Sequence, residues 1–184
     1  MASDVKLHTL AVQVDNEAGV LSQVSRMFSR KGYNIESLAV GATDNPAVSR
    51  MTIEVLADDA HATLLCNQLR KLLPVHSVKL LKHSHAIRRE LVLIKVRAPN
   101  SETRNEVFQI SHIFRGSIID VCSETLTISL IGTEEKIEAA QMLLAEFGIK
   151  ELVRTGMVAV ERGRYTIDED TKEKGEFNYG KHVL

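Results

Sequence analysis

The chain has 184 residues, 44% hydrophobic and 26% charged, enough for one medium domain or two small ones. Its net charge of −1 gives it no bulk electrostatic reason to bind nucleic acid, and no apolar run reaches the length of a membrane span. Aromatic residues make up 4% with no Trp, so the core must be aliphatic and base-stacking platforms are not expected.

The opening residues, "MASDVKLHTL", lack the charged-then-apolar layout of a secretion signal. A first strand is expected over residues 6–14, with Leu10, Val12 and Val14 on one face. A helix follows over 19–30, its apolar set Val20, Leu21, Val24, Met27 and Phe28 at helical spacing, and Gly32 is available for the left-handed closing residue. Strands are expected over 34–40 and 48–56, separated by the turn "ATDNPA". In the second of these, Met51, Ile53 and Val55 alternate with Arg50, Thr52 and Glu54, which predicts one buried and one wet face. "ADDAHATLLCNQLRKLL" reads as a helix with Asp58 and Asp59 at its N-terminus, stopped by Pro74 before a strand over 75–81.

The basic stretch "KHSHAIRRE" reads as a boundary, with 83–89 as a linker. The order then repeats. A strand over 91–98 precedes a helix in "SETRNEVFQISHIFRG", with Ser101 as its cap and Val107, Ile110 and Phe114 on its core face. Strands over 117–122 and 126–131 come next, then the helix "TEEKIEAAQMLLAEFG" closed by Gly148, and a last strand within 151–160. "MFSRKGYNIESLAV" and "IFRGSIIDVCSETL" share a pattern of Phe, basic residue, Gly and strand, which supports duplication. The fold class is therefore α+β, two consecutive ferredoxin-like βαββαβ units over 5–82 and 90–162, followed by a charged, flexible tail over 163–184. Cys66 and Cys122 lie far apart and are expected as free buried thiols in a reducing compartment.

No catalytic constellation is evident. Ser22, Ser25 and Ser29 have no alignable His/Asp partners, and His83 and His85 could chelate only with ligands the sequence does not supply. Phosphate loops and dinucleotide fingerprints are absent, so no cofactor is expected. The stretch "VDNEAGVLSQV" is different. It is either a plain strand-to-helix turn or a binding turn. A helix N-terminus offers unpaired N–H groups and partial positive charge, and Gly19 leaves their approach open to a carboxylate. Asn16 can cap the turn or bond a ligand, Val20 and Leu21 add apolar surface, and Asp15 and Glu17 favour a zwitterion over a phosphate.

"HTLAVQVDNEAGVLSQVSRMFSRKGYNIESLAVG", "SRMTIEV", "RRELVLIKV", "FRGSIIDV" and "LVRTGMVAVERG" resemble the regulatory (small) subunit of acetohydroxyacid synthase, or acetolactate synthase, beginning with its ACT domain. The resemblance covers roughly residues 6–163 and fades in the tail, where five acidic positions crowd between Asp168 and Glu176. It implies a non-catalytic subunit that activates a catalytic large subunit and confers feedback inhibition by valine, with isoleucine or leucine as further candidates. Thiamine diphosphate, Mg²⁺ and FAD would belong to the large subunit. It also implies a homodimer through the ACT domain, in which the turn of one copy faces the second strand of its neighbour. The ligand residues carried over are Asn16, Gly19, Val20, Leu21, Asn34 and Ile35. A cytoplasmic location is expected, or an organelle matrix if a transit peptide has been removed. The rival readings are an ACT-domain amino-acid sensor acting on another enzyme or on transcription, and a small α+β enzyme. The first lacks a DNA-binding element and the second a catalytic constellation.

Overall fold

Alternation of apolar residues sets the first strand. In the computed structural model, which describes residues 4–168, β1 (Lys6–Asp15) places Leu10, Val12 and Val14 on one face, all fully buried. They meet Val20, Val24, Met27 and Phe28 of α1 (Val20–Arg30) and Leu65, Cys66 and Leu69 of α2 (Asp59–Leu69). Met51, Ile53 and Val55 of β3 (Val48–Ala57) and Val78 of β4 (Val75–Leu81) complete this core. Each large aliphatic side chain so buried stabilises the fold by about 1.5–3 kcal/mol. With β2 (Ser37–Ala42), the four strands form an antiparallel sheet in the order β2-β3-β1-β4, helices on one face.

The second unit repeats the plan. β5 (Ala86–Arg97), α3 (Ser101–Ile113), β6 (Ser117–Val121), β7 (Thr125–Gly132), α4 (Glu134–Ala145) and β8 (Ile149–Arg154) give an antiparallel order β6-β7-β5-β8. Its core joins Val92, Ile94 and Val96 to Leu126, Ile128 and Leu130 and to Val107, Ile137, Ala140 and Leu144 of the two helices. Both units are ferredoxin-like, as the order of elements predicts.

Several local expectations are corrected. The C-terminal strand region contains two strands, because Gly156 at φ +79 breaks it before β9 (Val158–Glu161). The stretch expected as a linker is a single 3₁₀ turn, His83–His85, followed at once by β5, since residues 86–89 gain a ladder partner in β9. Asn100, not Ser101, caps α3, its side chain accepting from the Thr103 N–H at 2.8 Å. Asp58 does cap α2, accepting from the His61 N–H. Cys66 is buried as expected, and Cys122, in the β6–β7 connection, is exposed.

The largest correction concerns the face of the first sheet expected to be wet. Thr52 and Glu54 are only 3% and 4% exposed, and Thr9 is fully buried. β9 and the residues after it lie across this face, with Ala159 and Ile167 packed against Ala11, Leu81 and Ala86. The polar side chains underneath are paired: Thr9 donates to Glu54, Glu54 takes an ion pair from Arg88, and Lys79 takes one from Glu161. Alternation reports which residues are apolar, but a polar face can be covered when the cover brings partners. The expected tail thus begins as a strap over residues 163–168, where Thr166 O accepts from Lys79 Nζ at 2.9 Å; its remainder, from 169, lies outside the described residues.

Candidate functional site

The turn between β1 and α1 is held by its own backbone and by one side chain. The Asp15 N–H donates to Pro74 O at 2.9 Å and the Asn16 N–H to Ala47 O at 2.8 Å. Asn16 Nδ2 donates to Pro46 O at 2.9 Å, and its Oδ1 accepts from Ser49 Oγ at 3.0 Å. Both amide functions of Asn16 therefore fasten the turn to the β2–β3 hairpin. Gly19 sits at φ +87, ψ −11, a left-handed conformation that favours glycine. A Cβ there would meet nothing within 4 Å.

Beyond Gly19, no side chain caps α1 and no acidic residue occupies its first turn. Apart from a long bond of 3.4 Å from the Val20 N–H to Glu17 O, the helix thus keeps the N–H groups and positive end that suit a carboxylate. Of the aliphatic candidates, Val20 belongs to the core, Ile35 is partly buried against the same core, and Leu21 is 43% exposed on the outer side. Leu21 offers the most free apolar surface and Ile35 a part of its side chain, while Val20 stiffens what lies beneath.

Asn34 is placed differently from the expectation. It does not open β2, which starts at Ser37, but lies in the loop after α1. Gly32 at φ +73 and the Tyr33 N–H donating to Phe28 O turn the chain back on the helix, and pairing with β3 begins only where the Glu36 N–H reaches Glu54 O. Asn34 Nδ2 donates to Glu36 Oε1 at 2.9 Å. Gly19 and Asn34 consequently lie at opposite ends of an 11-residue helix, roughly 16 Å of helix at 1.5 Å per residue. One chain does not bring the two halves of the candidate site together.

A cleft of about 550 Å³ opens between the two units, lined by Glu36, Ser37 and Leu38 on one side and Glu90, Arg154 and Gly156 on the other. None of the six candidate residues lines it. Its walls hold the Arg154–Glu90 ion pair and the Glu54 carboxylate that pairs with Arg88, and the bond to Glu90 holds the Arg154 guanidinium above its ordinary range. Burial, with the Glu54 and Glu138 charges, pushes the Glu134 carboxyl up. Sequence reasoning missed this junction. Its signal was the polar set Thr9, Thr52 and Glu54 on strands too central to be wet. His83 belongs to the same junction rather than to a metal pair: its Nε2 lies 3.2 Å from Thr9 Oγ1, whose hydroxyl donates to Glu54. Among the described residues, no group of three or more His, Cys, Asp or Glu side chains is placed to hold a metal, and no helix is long and apolar enough to cross a membrane.

Comparison with known proteins agrees along the chain. A family model described as the AHAS small subunit-like ACT domain matches residues 10–77, and one described as the small subunit of acetolactate synthase matches residues 89–163. The acetolactate synthase small subunit of Aquifex aeolicus is 46% identical over 92% of this chain and 88% of its own. A probable acetolactate synthase small subunit of Methanothermobacter thermautotrophicus is 42% identical, covering 87% and 95%. The crystal structure of the small subunit from Thermotoga maritima superposes with a TM-score of 0.81 at 37% identity, over 87% of this chain and 99% of that one.

Proposed function

The chain belongs to the family of acetolactate synthase small subunits, regulatory rather than catalytic, and from that premise we propose that it raises the activity of the catalytic large subunit and lets valine restrain it. The observation that carries this reading is the split site. An uncapped helix N-terminus with an open Gly19 stands at one end of α1, and Asn34 stands at the other. A twofold pairing of two chains through the first unit closes the gap, setting the turn of one copy against Asn34 and Ile35 of its neighbour. Edge strands β2 and β4 of the first sheet leave backbone groups available for such pairing.

In the closed site the first-turn N–H groups at Gly19 to Leu21 take the valine carboxylate. Asn34 and backbone carbonyls take the ammonium, and Leu21 and Ile35 bound the side chain. Asn16 acts here mainly through the turn it fastens. Isoleucine and leucine differ from valine by one methylene, which an apolar pocket discriminates by only about 1–3 kcal/mol, so both are weaker or comparable ligands of the same site. Valine inhibits to the extent that it binds the less active arrangement of the holoenzyme more tightly, tenfold for each 1.4 kcal/mol of difference.

The test is reconstitution. The chain is mixed with an acetolactate synthase catalytic subunit and acetolactate formation is followed with and without valine. Stimulation that valine reverses supports the reading. A chain that neither stimulates nor confers valine sensitivity refutes it.

A further inference from the structure

The loop that carries Asn34 leads directly into the point where the second unit grips the first. Ser37 Oγ accepts from the Met157 N–H at 2.8 Å, and Met157 is almost fully buried. Gly156, at φ +79, brings backbone against backbone: a Cβ there would stand 3.0 Å from Leu38 O and 3.0 Å from Ser37 Oγ. On its other side the turn is tied to the central strand of the second sheet. The Thr155 N–H donates to Leu91 O at 3.0 Å, and the Leu91 N–H donates to Thr155 Oγ1 at 3.1 Å. Toward the candidate site, Ser37 follows Glu36, whose carboxylate holds Asn34. A short series of bonds thus runs from Asn34 to β5. A cleft of about 550 Å³ opens beside it, and the units are otherwise joined by the Arg88–Glu54 and Lys79–Glu161 pairs and the strap of β9.

We propose that Ser37 and the turn at residues 155–157 form the pivot through which amino-acid binding at residues 34–35 is passed to the second unit, Ser37 acting as a positioning residue. The proposal rests on the valine reading above. A tight backbone contact beside an open cleft is a point about which packed elements can rock. Fixing residues 34–36 with a ligand sets the angle of β2's entry, and the second unit, bonded to that entry, follows. Contiguity becomes coupling only when both ends bias one equilibrium, so the test must read energy at both ends.

The holoenzyme is reconstituted with wild-type small subunit, Ser37→Ala, Ser37→Thr and Gly156→Ala. Three quantities are read: stimulation without valine, the valine concentration for half-inhibition, and the valine Kd of the free small subunit by calorimetry. Ser37→Ala should need roughly tenfold more valine for half-inhibition, the effect of one lost hydrogen bond, with its free-subunit Kd unchanged within about twofold. Ser37→Thr, which keeps the hydroxyl, should return toward wild type. Gly156→Ala should shift inhibition at least as far, because its methyl meets a backbone carbonyl that cannot rotate away. Wild-type inhibition in both Ser37→Ala and Gly156→Ala overturns the pivot. So does a free-subunit Kd that weakens in step with inhibition, which would place Ser37 in ligand binding alone. A wild-type free subunit that binds no valine instead removes the valine reading and the pivot with it.

Discussion

Gly19→Ala separates a turn that only changes direction from one that holds a ligand. At φ +87 an L residue with a Cβ is strained by roughly 1–2 kcal/mol, and no steric term adds to this, since nothing lies within 4 Å of the new methyl. For a chain of this size each kcal/mol moves Tm by about 2–4 °C, so the variant should melt about 2–8 °C lower. Gly148 supplies a matched control in the second unit. It sits at φ +86, also with nothing within 4 Å of a Cβ, so Gly148→Ala should melt lower by a similar amount. The two variants should part in ligand binding. A methyl at Gly19 stands before the first-turn N–H groups, and losing one hydrogen bond to a carboxylate costs about 1.5–3 kcal/mol, or roughly ten- to hundredfold in affinity. Gly148→Ala should bind valine as wild type does. Both are measured by calorimetric titration at 25 °C, where each variant is folded, alongside a thermal scan. Wild-type valine affinity in a destabilised Gly19→Ala would show that the turn serves geometry alone. Equal weakening in Gly148→Ala would trace the effect to stability and not to the turn.

The two asparagines should also diverge. Asn16→Ala loses two bonds that fasten the turn and should be destabilised by about 1–3 kcal/mol, whereas Asn34→Ala loses one exposed contact and should melt near wild type while binding valine more weakly; equal melting losses would contradict this division. Exposed Cys122 should react at once with a thiol-exchange reagent at pH 8, and Cys66, whose thiol burial pushes up to about 11, only after denaturation. Two fast thiols in the native protein would contradict the burial of Cys66. Burial first, and then the Arg88 charge, lower the pKa of His83, so the folded state binds fewer protons there than the unfolded chain does. Its contribution is complete above the ordinary His value of 6.5 and declines as pH falls through that value. The urea midpoint of His83→Gln should therefore drop less than that of wild type between about pH 7 and pH 5, and identical slopes would count against the Thr9–His83–Arg88 network.

Periodicity made the two units legible because each buries one apolar face, and Leu10, Val12, Val14, Val92, Ile94 and Val96 could go nowhere else. The closing glycines were legible too: Gly32 and Gly148 stand at positive φ where a helix must end. What escaped depends on contacts distant in sequence. Ser101 and Asn100 are both good caps, and local pattern does not decide which one the backbone turns at. β9 is four residues long and takes its identity from residues 86–89 and from the polar face beneath it. At the candidate site, the helix end at Gly19 was readable from residue type and spacing. The engagement of Asn16 with Pro46 and Ser49 was not, because it follows from how the turn settles on the β2–β3 hairpin, 30 and more residues away in sequence.

The strap of β9 over the first sheet also has a meaning for a chain emerging from the ribosome. The first sheet is complete once β4 has been made, but its cover lies roughly eighty residues further on. At about 5–20 residues per second, the sheet waits about 4–16 s with that face in water. An apolar face would be sticky throughout the delay. Thr9, Thr52, Glu54 and Lys79 present water with groups it solvates well; Thr9 and Glu54 bond each other within the sheet, Arg88 joins Glu54 once β5 is made, and Lys79 finds Glu161 when the strap arrives. The polar seam gives up some hydrophobic sealing in the finished molecule, and in exchange the half-made one stays soluble.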